Sequence, residues 1–238
     1  MLMIMPDSLY GHIGAVLSAL ILSACFVGLT LHPQVYSGVP RKDFFWYYTN
    51  LSNLLVAFYF STISPFFYAE SRLYPLIPFV EFSVTMSIML THAVFHLMIF
   101  PGIRQQLNTI VLSREAKMLA ANNLLVHYIV PWLVMLYYLF CTPRKNTVPL
   151  LAAPLWLLFP LAYAGVVFLH AANDKKIPGT NRLYPYPFLD AALLGKKRVC
   201  LACAGMLVLC ALASVALLLL LRALYAFAGG GKPLFLVG

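Results

Sequence analysis

Apolar residues run along this chain in long blocks rather than in narrow stripes. The blocks extend from about Tyr10 to Leu31, Phe44 to Tyr68, Ile77 to Phe100, Asn122 to Cys141, Val148 to Ala172 and Arg198 to Phe227. Each is close to the ~20 residues a helix needs to cross a bilayer. Hydrocarbon offers the backbone no hydrogen-bond partners, so runs this long and apolar must satisfy themselves as helices. The pattern predicts an all-α polytopic membrane protein: a single bundle of about six transmembrane helices forming one domain over residues 1–238. Pro101-Gly102 stops the third span and Gly229-Gly230-Gly231 stops the sixth. Between Pro101 and Ala121 the spacing of Leu107, Ile110, Val111 and Met118 predicts a short amphipathic helix, Gln105–Leu119, lying on the lipid. Met1 to Leu9 carry Asp7 and no Lys or Arg, so the first block reads as a full span and not as a cleaved signal.

Composition agrees with the pattern. Hydrophobic residues make up 62% of the chain and charged residues 10%, against roughly 25% charged in a soluble domain. The net charge of +9 resides in short loops, where it reads as a topology signal and not as a nucleic-acid face. Arg41, Lys42, Arg104, Arg114, Lys117, Lys175, Lys176, Arg182, Lys196, Lys197 and Arg198 fall on one side of a six-span chain. Arg72, Arg144, Lys145, Arg222 and Lys232 fall on the other. The richer side is expected to be cytoplasmic, with both termini outside. Cys25, Cys141, Cys200, Cys203 and Cys210 lie mostly within spans and read as small packing residues, the Cys200–Cys203 pair included.

Candidate chemistry lies on the basic side. Thr49, Asn50, Ser52 and Asn53 fall in the first turns of span two, and Asn122, Asn123 and His127 in the first turns of span four. His92 and His96 close span three, His170 and Asn173 close span five, and Tyr184-Pro185-Tyr186-Pro187-Phe188-Leu189-Asp190 precedes span six. Counting from these starts puts Thr49 and His127 at a matching depth of roughly 8 Å. Glu81, Thr85, His92 and His96 form one helical stripe, and Asn123, His127 and Pro131 another. Pro131 has no N–H for the carbonyl of His127, so that carbonyl needs another donor. Each feature also has a structural reading: Thr and Asn glue membrane helices together, terminal His residues reach the headgroups, and Asp190 caps a turn. Those readings leave unexplained why the polar groups share one leaflet.

Three segments carry a resemblance: Phe-Trp-Tyr-Tyr-Thr-Asn-Leu-Ser-Asn-Leu-Leu (45–55), Asn-Asn-Leu-Leu-Val-His-Tyr-Ile-Val-Pro (122–131) and Tyr-Pro-Tyr-Pro-Phe-Leu-Asp (184–190). In that order they resemble the prokaryotic six-helix Pr6Pr proteins, which are similar to the animal androgen-induced and androgen-dependent (FAR-17a/AIG-type) membrane proteins. The resemblance covers Phe44 to Gly195. It implies a threonine hydrolase cleaving fatty acid esters of hydroxy fatty acids, in a prokaryotic cell membrane. It puts the nucleophile at Thr49 and the base at His127.

A hydroxyl needs an adjacent base to attack an ester, and histidine suits neutral pH. Asn50, Asn53 and Asn123 are candidate oxyanion donors, and His92, His96 or Asp190 candidates to orient His127. The expected partners are the bilayer and a lipid or fatty acyl ester, with no nucleic acid; no metal or other cofactor is required. Two other readings use the same residues. One is a non-catalytic lipid-binding or transport module, and the other a metal or haem protein ligated by His92, His96, His127 and His170.

Overall fold

The computed structural model describes residues 9–31, 42–63, 76–101, 113–142 and 147–227. Every regular element among them is helical. Helix α1 spans Leu9–Thr30. A 3-10 turn, Phe44–Trp46, leads into α2, which is α-helical over Tyr48–Phe58 and continues as a π-helical turn, Tyr59–Ile63. Helix α3 covers Ile77–Ile99, α4 Arg114–Phe140, α5 Leu150–Ala172 and α6 Lys196–Phe227. All but α2 are long and apolar enough to cross a bilayer. Residues 64–68, predicted to complete the second span, lie outside the described residues.

Outward faces are apolar: Phe26, Leu97, Leu151, Leu169, Leu209 and Phe227 are exposed. A contiguous surface of this kind associates in water and is solvated by lipid. The chain is therefore a multi-pass integral membrane protein built as an all-α bundle. Helix α3 is its axis. On one side Val84 and Ile88 pack with Ile21 and Cys25 of α1, Val56 and Phe60 of α2, and Val130 and Val134 of α4. On the other, Phe82, Met86 and Leu90 pack with Tyr138, Trp156, Leu157 and Leu218 of α4, α5 and α6. Helices α1 and α4 cross at Gly28, where a Cβ would stand 2.8 Å from Val126 Cγ1. The missing side chain permits the approach, and the Asn122 amide donates to the Gly28 carbonyl across it.

Two expectations from hydropathy need correction. Helix α4 starts at Arg114 and not at Asn122. Its first turns, Arg-Glu-Ala-Lys, are polar, and form because Ser113 caps them, accepting from Ala116 N at 3.1 Å, with Glu115 at the positive end of the dipole. The predicted amphipathic helix is thus, over residues 114–119, the start of α4; residues 105–112 lie outside the described residues. Helix α6 begins at Lys196, within two residues of the expected start, after Gly195 turns the chain with φ +84°.

Helices α3 and α4 each contain one π-helical turn, Phe95–Ile99 and Leu125–Ile129. Such a turn inserts an extra residue and rotates whatever follows, so a 3.6-residue stripe does not survive it. The expected α3 stripe breaks there: Glu81 and Thr85 are buried, His92 is half-buried and His96 is exposed. In α4 the buried amide is Asn122, while Asn123 is half-buried.

Candidate functional site

A cavity of about 80 Å³ lies between α2, α3, α4, α5, α6 and the Tyr184–Asp190 segment. That is room for several water molecules or a stretch of acyl chain, since one water needs about 10–15 Å³ by the same measure. Most of the wall is apolar, formed by Leu90, Val94, Ile99, Leu161, Met206 and Leu207, with Cys203 and Cys210 beside them. Thr49, Thr91, His127, Tyr163 and Tyr186 are among the residues that line it, with almost all of the open wall apolar.

Thr49 is the second residue of α2. Its backbone is held from both sides. The carbonyl accepts from Ser52 Oγ at 3.0 Å and Asn53 Nδ2 at 2.8 Å, and the N–H donates to the Tyr186 hydroxyl at 3.3 Å. The Thr49 Oγ1 atom also lies 3.3 Å from that hydroxyl. Tyr186 stands between two prolines, stacks on Phe188 at 5.2 Å and meets Tyr47 edge-on at 5.7 Å. Burial pushes its phenol above the ordinary range, so it remains a proton donor at neutral pH.

His127 sits inside the π-helical turn of α4 and is 6% exposed. Its ring stacks on Phe95 at 3.8 Å between centroids, and its Nδ1 has no hydrogen-bond partner among the described residues. The turn exists because Pro131 removes a donor. Neighbouring helices supply replacements: His92 Nδ1–H donates to the His127 carbonyl at 2.7 Å, and Asn53 Nδ2 to the Val126 carbonyl at 3.3 Å. The carbonyl that the proline leaves open is thus taken by His92. Asn53, through one NH₂, ties the backbone of Thr49 to the residue before His127.

Other candidates stand further off. Asn50 Nδ2 donates to the Phe44 carbonyl at 2.8 Å and holds the 3-10 turn. His96 is exposed and pairs with the Tyr128 hydroxyl at 3.0 Å. His170 packs against Trp46 with the rings tilted, 4.1 Å between centroids. Asp190 caps the turn Ala191–Leu194, its Oδ1 accepting from Ala192 N at 2.9 Å and Leu193 N at 3.0 Å. Asn50, Asn53, His92, His96, Asn123 and Asp190 are not part of the cavity wall. No group of three metal-ligating side chains occurs among the described residues.

No hydrogen bond joins Thr49 to His127 among the described residues; what they share is the cavity. Depth counting paired them on starts that do not hold, since α4 begins two turns earlier than hydropathy implies. The residue that contacts Thr49 directly is Tyr186, which the sequence marks only as part of a proline-flanked aromatic segment. Thr91 was also missed; it bonds Ser52 Oγ at 2.7 Å, and its spacing of four from Ser87 was the available signal. Comparison of the chain with protein-family models, with curated proteins and with solved structures finds no match.

Proposed function

We propose that the protein is an intramembrane hydrolase of lipid esters, with Thr49 as nucleophile and His127 as general base. One observation supports the reading: Thr49, at a helix N-terminus, and His127, a buried imidazole whose Nδ1 is unpartnered among the described residues, line the same apolar cavity. The apolar wall suits the acyl chain of such an ester. Thr49 Oγ–H would pass its proton to His127, directly or through one water, while Oγ attacks the acyl carbon. The leaving alkoxide takes the proton back, and water then hydrolyses the acyl-threonine by the same route. His92 and Asn53 would act as positioning residues, holding the turn that presents the imidazole. The resemblance to the Pr6Pr and FAR-17a/AIG-type proteins, and with it fatty acid esters of hydroxy fatty acids as substrates in a prokaryotic cell membrane, belongs to this proposal.

The test is labelling of the purified protein with a fluorophosphonate, followed by mapping of the modified residue. Modification at Thr49, absent in Thr49→Ala and slowed by at least ~10²-fold in His127→Ala, is expected. Unchanged labelling or ester hydrolysis in Thr49→Ala would overturn the assignment.

A further inference from the structure

The hydrolase reading supplies a nucleophile and a base but no stabiliser for the charge that the acyl oxygen acquires. Resting on that reading, we infer that the oxyanion site consists of the Tyr186 O–H and the backbone N–H of Thr49.

Geometry selects these two donors. The oxyanion forms one bond away from the carbon that Thr49 Oγ attacks, so its donors must lie close to Oγ1. The Tyr186 hydroxyl oxygen is 3.3 Å from Oγ1 and 3.3 Å from the Thr49 nitrogen. That nitrogen lies in the first turn of α2, where an N–H has no intrahelical acceptor. The next two amides, of Asn50 and Leu51, bond to the Tyr47 carbonyl, whereas the Thr49 N–H goes to the phenol. The partial positive charge of the helix end adds to its pull on a developing anion. His127, nine-tenths buried and with Nδ1 unpartnered among the described residues, lines the same cavity.

The side-chain amides of Asn50, Asn53 and Asn123 are excluded because none of these residues lines the cavity. Asn50 Nδ2 holds the Phe44 carbonyl, and Asn53 Nδ2 is shared between the carbonyls of Thr49 and Val126. The Tyr186 oxygen accepts the Thr49 N–H and lies beside Thr49 Oγ1, so its own O–H proton can be directed at Oγ1 or at an oxygen forming next to it. Its ring is fixed in advance by Phe188, Tyr47 and the flanking prolines, so little reorganisation is needed when charge appears.

The step balances without another reactant. The Oγ–C bond forms as the Thr49 hydroxyl proton moves to His127, and the carbonyl π pair moves onto oxygen, where O–H and N–H hold it. That pair returns as the C–O bond to the alcohol breaks, and His127 protonates the departing oxygen. Tyr186 keeps its proton throughout.

Tyr186→Phe tests this, since it keeps the ring and removes the donor. With a p-nitrophenyl acyl ester in micelles, kcat should fall by roughly 10²–10³-fold while KM stays nearly unchanged. A reversible trifluoromethyl ketone of the same chain length, which forms a tetrahedral adduct, should lose affinity by a similar factor. A non-reacting ether of that length should bind as to the unsubstituted protein, which also reports on folding. Equal weakening of both ligands, or full kcat, would overturn the oxyanion role. Thr49→Ala and His127→Ala in the same assay separate the two failures. Turnover surviving in them removes the Thr49–His127 dyad on which the oxyanion site rests, whereas inactive dyad variants beside a fully active Tyr186→Phe remove only the Tyr186 assignment.

Discussion

Two sets of buried polar groups in this bundle are chemically alike and differ in what surrounds them. At the loop end, Thr49, His127 and Tyr186 border a cavity. Along α3 toward its other end, Glu81 is buried at 2% exposure, next in sequence to Phe82, whose ring packs on Tyr138 at 6.0 Å between centroids. Tyr138 is fully buried and packs with Phe82, Trp156 and Leu218. Neither Glu81 nor Tyr138 touches the cavity. Ionisable groups inside membrane spans are commonly read as functional pathways. The contrast shows that burial alone does not make a site: Thr49 has empty space beside it for a reactant, whereas Tyr138 has only packed side chains. The first set borders open space, and the second belongs to the core that holds α3, α4 and α6 together.

Substitutions can break this contrast, and the largest effect comes from pairing Thr49→Ala with Phe82→Ala. Thr49→Ala should abolish ester turnover and leave the unfolding midpoint in mixed micelles nearly unchanged, since it removes one half-buried hydroxyl and a methyl. Phe82→Ala should do the reverse. It empties a fully buried site and should cost about 3–5 kcal/mol of stability while turnover per folded molecule persists. Equal losses of both properties in both variants would mean that the two regions are one cooperative unit.

His92→Leu should fall between these extremes. It leaves the His127 carbonyl without its donor, at a cost of about 1–3 kcal/mol. It should also lower turnover by up to ~10²-fold by letting the imidazole drift. His92→Gln, whose amide can donate to the same carbonyl, should restore part of both. An activity loss that Gln fails to recover would assign His92 a role beyond positioning.

The smallest effect sharpens the comparison most. Tyr138→Phe makes the same chemical change as Tyr186→Phe, in the packed region. The Tyr138 hydroxyl has no hydrogen-bond partner among the described residues, so its removal should leave stability unchanged or raise it by up to ~1 kcal/mol, with turnover intact. A large activity loss in Tyr138→Phe would show that the core communicates with the cavity.

How much of this was legible beforehand depends on the scale of the feature. The helices were legible because hydropathy acts over twenty residues and hydrocarbon allows the backbone little choice. Their starts were less so: the polar first turns of α4 are stabilised by Ser113 and Glu115, local capping effects that a hydropathy reading passes over. The need of the His127 carbonyl for a substitute donor followed from Pro131 alone, because a missing N–H is a covalent fact. That His92 supplies the donor, and that Asn53 links Thr49 to Val126, did not follow, since donors 35 and 73 residues away are chosen by how helices pack.

The membrane class and the six apolar segments can be read from the amino-acid sequence without the fold. These rest on composition and on spacing along a single helix. Tertiary structure alone decided which polar residues meet. The π-helical turns rotated His96 outward and left His127 inward, and the close crossing at Gly28 brought Asn122 to α1. The folding of Tyr186 onto the start of α2 set a phenol beside Thr49 across 137 residues of sequence. A side chain's neighbours depend on helix phase and crossing, and one inserted residue changes phase by about a quarter turn. Periodicity counted along the chain therefore cannot carry that information past the first irregular turn.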